Sequence, residues 1–184
     1  MILISNFNFN FNSILNILTN YQTIMNSIKT ILGVGVILLL LGSCDNTNYH
    51  FKAKIDFDNA TWKYSDTTDF EVMINDTLKR YNIGLNINHS KDYLHQNIYL
   101  RIHTKFPDGK RFSQRVNIDL ADKSGKWYGK SSGNSWKVET YIQKDAFFNQ
   151  IGKYTFTIEQ FTRNEHLENI NNLTFYLEDT GMNR

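Results

Sequence analysis

An all-β antiparallel sandwich, Ig-like or jelly-roll-like, is the fold class predicted by this sequence of 184 residues. Three observations predict it. After residue 50, apolar side chains recur at every second position in run after run, which is the strand period. Turn-forming residues divide those runs at intervals of about 8–20 residues. Only one short stretch, residues 144–150, carries a helical pattern.

Ahead of that region the sequence is of another kind. Lys29 is the only charged residue before Cys44. Residues 1–24 hold an alternating run of Phe and Asn (residues 6–12) and no positive charge. They read as an upstream extension of the reading frame, with Met25 as the start and residues 25–43 as a signal peptide. Its apolar segment, Ile31 to Gly42, is roughly 18 Å long as a helix at ~1.5 Å per residue. That is short of the ~30 Å hydrocarbon core and suits the apolar region of an export signal. Leu41-Gly42-Ser43-Cys44 follows. An apolar residue and two small ones let a peptidase approach the extended backbone, and the cysteine sulfur takes a diacylglycerol. We expect Leu41, Gly42 and Ser43 to be recognised, cleavage before Cys44, and covalent lipid on Cys44 with no other cofactor. Two or three acyl chains, at ~0.8 kcal/mol per buried methylene, hold a protein stably on a bilayer. Residues 44–50 read as a polar tether and 51–184 as the sandwich.

The strands follow in order. Phe70, Val72 and Ile74 alternate with polar or flexible residues, and Asn75-Asp76-Thr77 marks the turn before the next run. Tyr81, Ile83, Leu85 and Ile87 alternate with Asn82, Gly84, Asn86 and Asn88; Ile98, Leu100 and Ile102 come next. Pro107-Asp108-Gly109-Lys110 has the composition of a tight turn, and Val116, Ile118 and Leu120 resume the pattern. Ser124-Gly125-Lys126 and Ser131-Ser132-Gly133-Asn134 bracket Trp127 as a hairpin loop. Trp136, Val138, Thr140 and Ile142 form the next run. Residues 144–150 read as at most two helical turns closed by Gly152. Tyr154, Phe156 and Ile158, then Leu173, Phe175 and Leu177, complete the set.

Composition excludes several classes. From Cys44 onward 19 Lys and Arg are interspersed with 18 Asp and Glu, so the pI of about 8.5 does not come from the clustered positive charge that nucleic acid requires. A single cysteine excludes an internal disulfide framework and a cysteine-based zinc site. His50, His89, His95, His103 and His166 include no pair at metal-ligand spacing. Nucleophile-elbow, phosphate-loop and metalloprotease motifs are absent. Asp119, Asp122 and Ser124 do not match a calcium loop, and Asp122 reads as shaping its turn through backbone hydrogen bonds. Glu159 and Glu178 have no partner carboxylate at a fixed spacing. No enzyme is expected. Tryptophans and most phenylalanines read as core, the alternative being a sugar-stacking platform built from Trp62, Tyr64, Trp136 and Tyr141.

Three clusters resemble the gliding motility lipoprotein GldH family. They are Tyr93-Leu94-His95-Gln96-Asn97-Ile98-Tyr99-Leu100; Leu120-Ala121-Asp122-Lys123-Ser124-Gly125-Lys126-Trp127-Tyr128-Gly129; and Gly152-Lys153-Tyr154-Thr155-Phe156-Thr157-Ile158-Glu159-Gln160 with Arg163, Leu167 and Ile170 behind it. Within them Asn97, Asp122, Gly125, Trp127, Gly129, Gly152, Tyr154, Glu159, Gln160 and Arg163 match the family pattern as structural or partner-binding positions. Residues 129–134 are less glycine-rich and less acidic than that pattern, and Phe161-Thr162-Arg163 stands where it often has methionine before the arginine. Gly125 and Gly129 are expected at positive φ around a Trp127 that caps the core. Glu159, Gln160 and Arg163 are expected at a strand end, either with a Glu159–Arg163 contact fixing the last connection or as a polar patch presented to a partner. The resemblance implies a non-enzymatic, lipid-anchored scaffold of the gliding machinery at the cell envelope. That scaffold would sit in the outer membrane beside type IX secretion, with other envelope lipoproteins as partners. A surface glycan-binding lipoprotein is the alternative, and a hydrolase with an unseen site the third reading.

Overall fold

Period two survives folding almost intact. The computed structural model describes residues 47–184 and, before them, only Tyr21, Gln22 and Met25. The expected signal peptide, Leu41, Gly42, Ser43 and Cys44 therefore lie outside the described residues. Eleven strands are described: β1 (Tyr49–Asp56), β2 (Thr61–Lys63), β3 (Thr68–Ile74), β4 (Lys79–Ser90), β5 (Asn97–Lys105), β6 (Arg111–Asp119), β7 (Lys130–Ser132), β8 (Ser135–Phe147), β9 (Gly152–Gln160), β10 (His166–Glu168) and β11 (Ile170–Asn183). Every pairing is antiparallel. One sheet runs β1-β11-β4-β8-β7, the other β3-β9-β5-β6, and β2 pairs with β10 as a small ribbon. The eight long strands distribute between the sheets as in a jelly roll, with β11 inserted between β1 and β4 and β9 between β3 and β5. Of the two topologies open to the sequence, this is the one adopted.

The inner faces are the apolar sets that the alternation marks. Phe70, Val72 and Ile74 of β3 and Tyr154, Phe156 and Ile158 of β9 face Leu85, Ile87, Leu173, Phe175 and Leu177. Phe175 bridges the layers, its ring 5.0 Å from Phe70 and 4.9 Å from Phe156. Trp62 is buried too, stacked on Phe57 at 4.7 Å. The alternative glycan platform of Trp62, Tyr64, Trp136 and Tyr141 therefore loses a member to the core, while Tyr64 and Tyr141 remain exposed.

Two expectations are corrected. The tether is shorter than expected, because Tyr49 and His50 already belong to β1. Residues 144–150 are not helical. β8 continues to Phe147, Ala146 and Phe148 are buried, and Phe147 between them is exposed. A bulge produces this. Asp145 has φ +51° and its N–H donates to Asn82 Oδ1 at 3.2 Å, which re-aims the strand so that Phe148 packs on Tyr154 at 4.7 Å. Burial of Phe148 outweighs the local helical preference. Gly152 opens β9 instead of closing a helix.

Connections sort to two ends. The far end gathers residues 57–67, 91–96, 120–134 and 161–169, tied by Tyr64 N–H to Glu165 O (2.7 Å), Lys91 N–H to Asn134 O (2.9 Å) and Leu120 N–H to Gln96 O (2.7 Å). The terminal end gathers residues 75–78, 106–110 and 148–151 with both limits of the described domain. Asp179 N–H donates to Asn48 O (2.8 Å), and Arg184 N–H to Leu78 O (2.6 Å).

On the outer face of the larger sheet, Tyr176 lays its ring over Gly84, its register partner on β4. Tyr49 and Tyr141 flank that ring at 5.4 and 6.2 Å. A Cβ on residue 84 would occupy the space of the ring itself. Gly84→Ala is expected to cost about 1–3 kcal/mol by overpacking, read as a lower urea midpoint. Tyr176→Ala should remove most of that penalty in the double variant, and equal penalties in both backgrounds would refute the contact as its cause.

Candidate functional site

Most of the family-pattern residues meet at the far end. After β6, Leu120 and Ala121 are both buried, and both N–H groups donate to Gln96 O, at 2.7 and 3.0 Å. The next residues turn back: Asp122 Oδ1 accepts from Ser124 N–H (2.8 Å), Ser124 Oγ (2.6 Å) and Lys126 N–H (3.0 Å). Those bonds, the Ser124 hydroxyl first, hold the Asp122 carboxyl below the usual carboxylate range. Asp122 thus shapes its turn as expected. Gly125 and Gly129 have φ +85° and +82°, and Tyr128 N–H closes the turn on Leu120 O at 2.8 Å. Gly129 is doubly constrained, because a Cβ there would collide with the Lys137 carbonyl.

The turn delivers Trp127 onto the core edge, half-buried. Its ring lies 4.5 Å from His89 and 6.5 Å from Tyr93. His89 is fully buried at the end of β4; its Nδ1 contacts Ser90 O at 2.9 Å, whereas Nε2 has no hydrogen-bond partner among the described residues. Burial pushes the His89 pKa down, opposed by the Ser90 carbonyl. Burial also pushes the Tyr93 phenol up to about 12, and its hydroxyl donates to Asn97 O at 3.3 Å. Asn97 in turn donates to Asn117 Oδ1 at 2.7 Å. His89 was legible in principle, since it continues the inward series Tyr81, Ile83, Leu85 and Ile87, but a histidine read singly suggests surface.

Gln160 ends β9 fully buried. Its Oε1 accepts from Thr162 N–H (3.0 Å) and Thr162 Oγ1 (2.7 Å), and its Nε2 donates to Asn164 O (2.7 Å). One amide therefore organises the whole 161–164 connection, and Arg163 is left exposed. The expected Glu159–Arg163 contact is not made. Glu159 is on the outer face of β9, where strand register sets it opposite Arg101. Its Oε1 lies 3.2 Å from both Arg101 Nη1 and His103 Nε2. Arg101 also stacks on Phe161, 3.8 Å from the ring centre. Gly152 and Tyr154 stand apart at the terminal end, Gly152 against Pro107 and the Tyr154 hydroxyl donating to Gln150 O at 3.2 Å.

Between the 91–96 and 161–164 connections opens a shallow cleft of about 560 Å³, walled by Tyr93, His95, Tyr99 and Phe161 with Asn97 and Arg163 at its rim. A second, polar cleft of about 580 Å³ crosses the outer face of the smaller sheet, over Asp69, Glu71, His103 and Lys153. Among the described residues no group of three or more His, Cys, Asp or Glu is placed to hold a metal ion. The far end offers exposed aromatic, amide and cationic groups on a backbone pinned by internal hydrogen bonds, an arrangement suited to recognition.

Two consequences are testable. A buried neutral His89 resists a proton that the unfolded chain accepts. Its contribution is complete above the ordinary histidine value of ~6.5 and is lost as pH falls below it. Melting temperature is expected to drop between pH ~7.5 and ~5.5, with a flatter profile in His89→Gln; identical profiles would refute this role. Trp127→Ala is expected to cost about 2–3 kcal/mol in urea unfolding, somewhat less than truncation of a fully buried aromatic, and Trp127→Phe should recover most of that loss.

The chain is similar to known proteins over nearly all of this domain. The model of the family described as GldH lipoprotein matches residues 49–176. A gliding motility lipoprotein GldH homolog of Christiangramia forsetii is 26% identical over 148 residues, covering 77% of this chain and 90% of that protein. The gliding motility lipoprotein GldH of Flavobacterium johnsoniae is 25% identical over 154 residues, covering 78% and 94%. Among solved structures, tripeptidyl peptidase 2 matches with a TM-score of 0.37 at 9% identity, over 76% of this chain and 10% of that one. The VP2 subviral particle of infectious bursal disease virus matches with 0.35 at 14%, over 75% and 34%. Likeness that weak assigns nothing. The match over residues 49–176, which contains all three sequence clusters, shows that this chain belongs to the GldH lipoprotein family.

Proposed function

We propose that this chain is a non-enzymatic, lipid-anchored component of the gliding motility machinery, held on the outer membrane through Cys44 and working beside type IX secretion. The observation that carries this reading is the division of the domain into two ends. The chain arrives from Cys44 at the terminal end, where Asn48 bonds Asp179. The far end, with the 91–96, 120–129 and 161–164 connections, lies one strand length away. For the eight residues of β1 that is about 26 Å at ~3.3 Å per residue. Residues 44–48 reach at most about 17 Å when extended. Anchoring by Cys44 therefore keeps the domain close to the bilayer and leaves the far end to meet partners; the similarity to two gliding motility lipoproteins supports partners drawn from that machinery. Confinement to a surface raises effective concentration, so modest contacts suffice.

In a gliding host, deletion of the gene is expected to abolish colony spreading and the wild-type gene to restore it. Cys44→Ser should lose acyl labelling, retain the residues ahead of position 44 and fail to restore spreading. Arg163→Glu combined with Tyr99→Ala, both exposed at the far-end cleft, should keep the wild-type melting temperature yet spread poorly. Full spreading by that double variant would remove the far end as the partner surface, and normal spreading of the deletion strain would remove the motility role.

A further inference from the structure

Charge that is mixed along the sequence is separated by the fold. Residues 75–80, 105–111, 144–153 and 179–184 come together at the terminal end and carry eight Lys and Arg against four Asp. The far-end segments, residues 56–67, 90–97, 119–135 and 160–169, carry six against eight Asp and Glu. Two of the terminal-end aspartates are also matched locally: Asp179 by Lys79 at 2.7 Å and Asp108 by Lys110 at 3.1 Å. Lys105, Arg111, Lys144, Lys153 and Arg184 all reach solvent.

The same end exposes large apolar side chains. Leu78, Phe112, Phe147, Ile151 and Met182 are between 43% and 64% exposed. They stand on connections and strand ends at the same end of the sandwich as the point where the chain emerges toward Cys44. Arg184 links two of them, its guanidinium 4.4 Å from the centre of the Phe147 ring and its N–H on Leu78 O. Phe112 and Phe147 also flank the mouth of an apolar crevice of about 160 Å³ between the sheets, floored by Ala146, Phe156 and Phe175. Isolated exposed apolar residues need no explanation, but a set of them ringed by cations on one surface marks a contact site.

We infer that the terminal end is a membrane-seating surface: its cationic rim binds anionic phospholipid headgroups, and Leu78, Phe112, Phe147, Ile151 and Met182 dip into the interface. The inference rests on the anchoring proposed above, because acylation of Cys44 holds the end where the chain enters the domain nearest to a bilayer. The occupant is a lipid surface on two grounds. The tether joins the domain here. And an apolar patch within a cationic rim has the chemistry by which peripheral proteins hold anionic membranes, each cation near the surface strengthening binding about fivefold. Seating would stand the sandwich upright and present the less basic far end outward.

The test uses the acylated protein in vesicles of phosphatidylcholine with and without phosphatidylglycerol. Its only native cysteine is consumed by lipid, so Ile151→Cys and, at the far end, Lys123→Cys each give a unique site for a polarity-sensitive dye. With phosphatidylglycerol, the dye at position 151 is expected to shift to the blue and to be quenched by nitroxide-bearing lipids. Both effects should be lost in ~1 M salt, where screening extends only about 3 Å. The dye at position 123 should report water throughout. Lys110→Glu, Arg111→Glu and Lys144→Glu, introduced together, should abolish the response at 151 while the protein still floats with the vesicles. A dye at 151 that stays water-exposed on acylated, floating protein overturns the seating and leaves the anchor standing, with a protein partner as the claimant of this surface. A protein whose mass shows no acyl chain overturns the anchor and the seating together.

Discussion

Everything in this domain depends on two sheets pressed face to face through Phe175. That ring meets Phe70 and Phe156 across the interlayer gap and Phe51 within reach on the neighbouring strand. Because the core is one layer of interdigitated side chains, each long strand must bury alternate residues, and strands passing between the sheets must turn at the ends. Eight long strands make an even number of passages. The first therefore begins and the last finishes at the same end. From this parity follow the nearness of Asn48 to Asp179 and of Leu78 to Arg184, and the separation of both limits of the described domain from the motif-bearing connections.

That architecture was legible where sequence and burial obey one rule. β3, β4, β5, β9 and β11 show in the pattern because one face is wholly inside. β1 was as legible as these, because Phe51, Ala53 and Ile55 alternate strictly with Lys52, Lys54 and Asp56, even though its place at the sheet edge leaves the inward residues only half-buried. β2 and β10 have three residues each, too few to establish a period. Lys144 to Gln150 misled because the bulge at Asp145 is imposed by Asn82, a partner 63 residues earlier that local preference cannot register.

The candidate site was legible as a set of residues and illegible as a geometry. Asp122 was readable because an aspartate two residues before a serine makes its bonds locally. Glu159 was assigned the wrong cation because sequence proximity favours Arg163, whereas strand pairing delivers Arg101 directly opposite. Gln160 illustrates a subtler limit. Buried amides are retained only when each polar atom is matched, and its partners Thr162 and Asn164 are near in sequence, yet nothing in the chain announced that this glutamine faces inward. Period two does announce it: Tyr154, Phe156 and Ile158 are followed by position 160 on the same face.

The far end is rigid for a reason that bears on what it does. Three connections there are fixed mainly by backbone and amide hydrogen bonds: Leu120 and Ala121 on Gln96, Tyr128 on Leu120, and the 161–164 segment on Gln160. Such bonds hold exposed Tyr99 and Arg163 on a preorganised frame. Preorganisation lowers the entropic cost of association. A surface of this kind gains affinity without a deep pocket, and it does so best when its other degrees of freedom are already restricted. The anchoring proposed through Cys44 would supply that restriction, and it would join the placement of the connections and the placement of the domain limits into a single design.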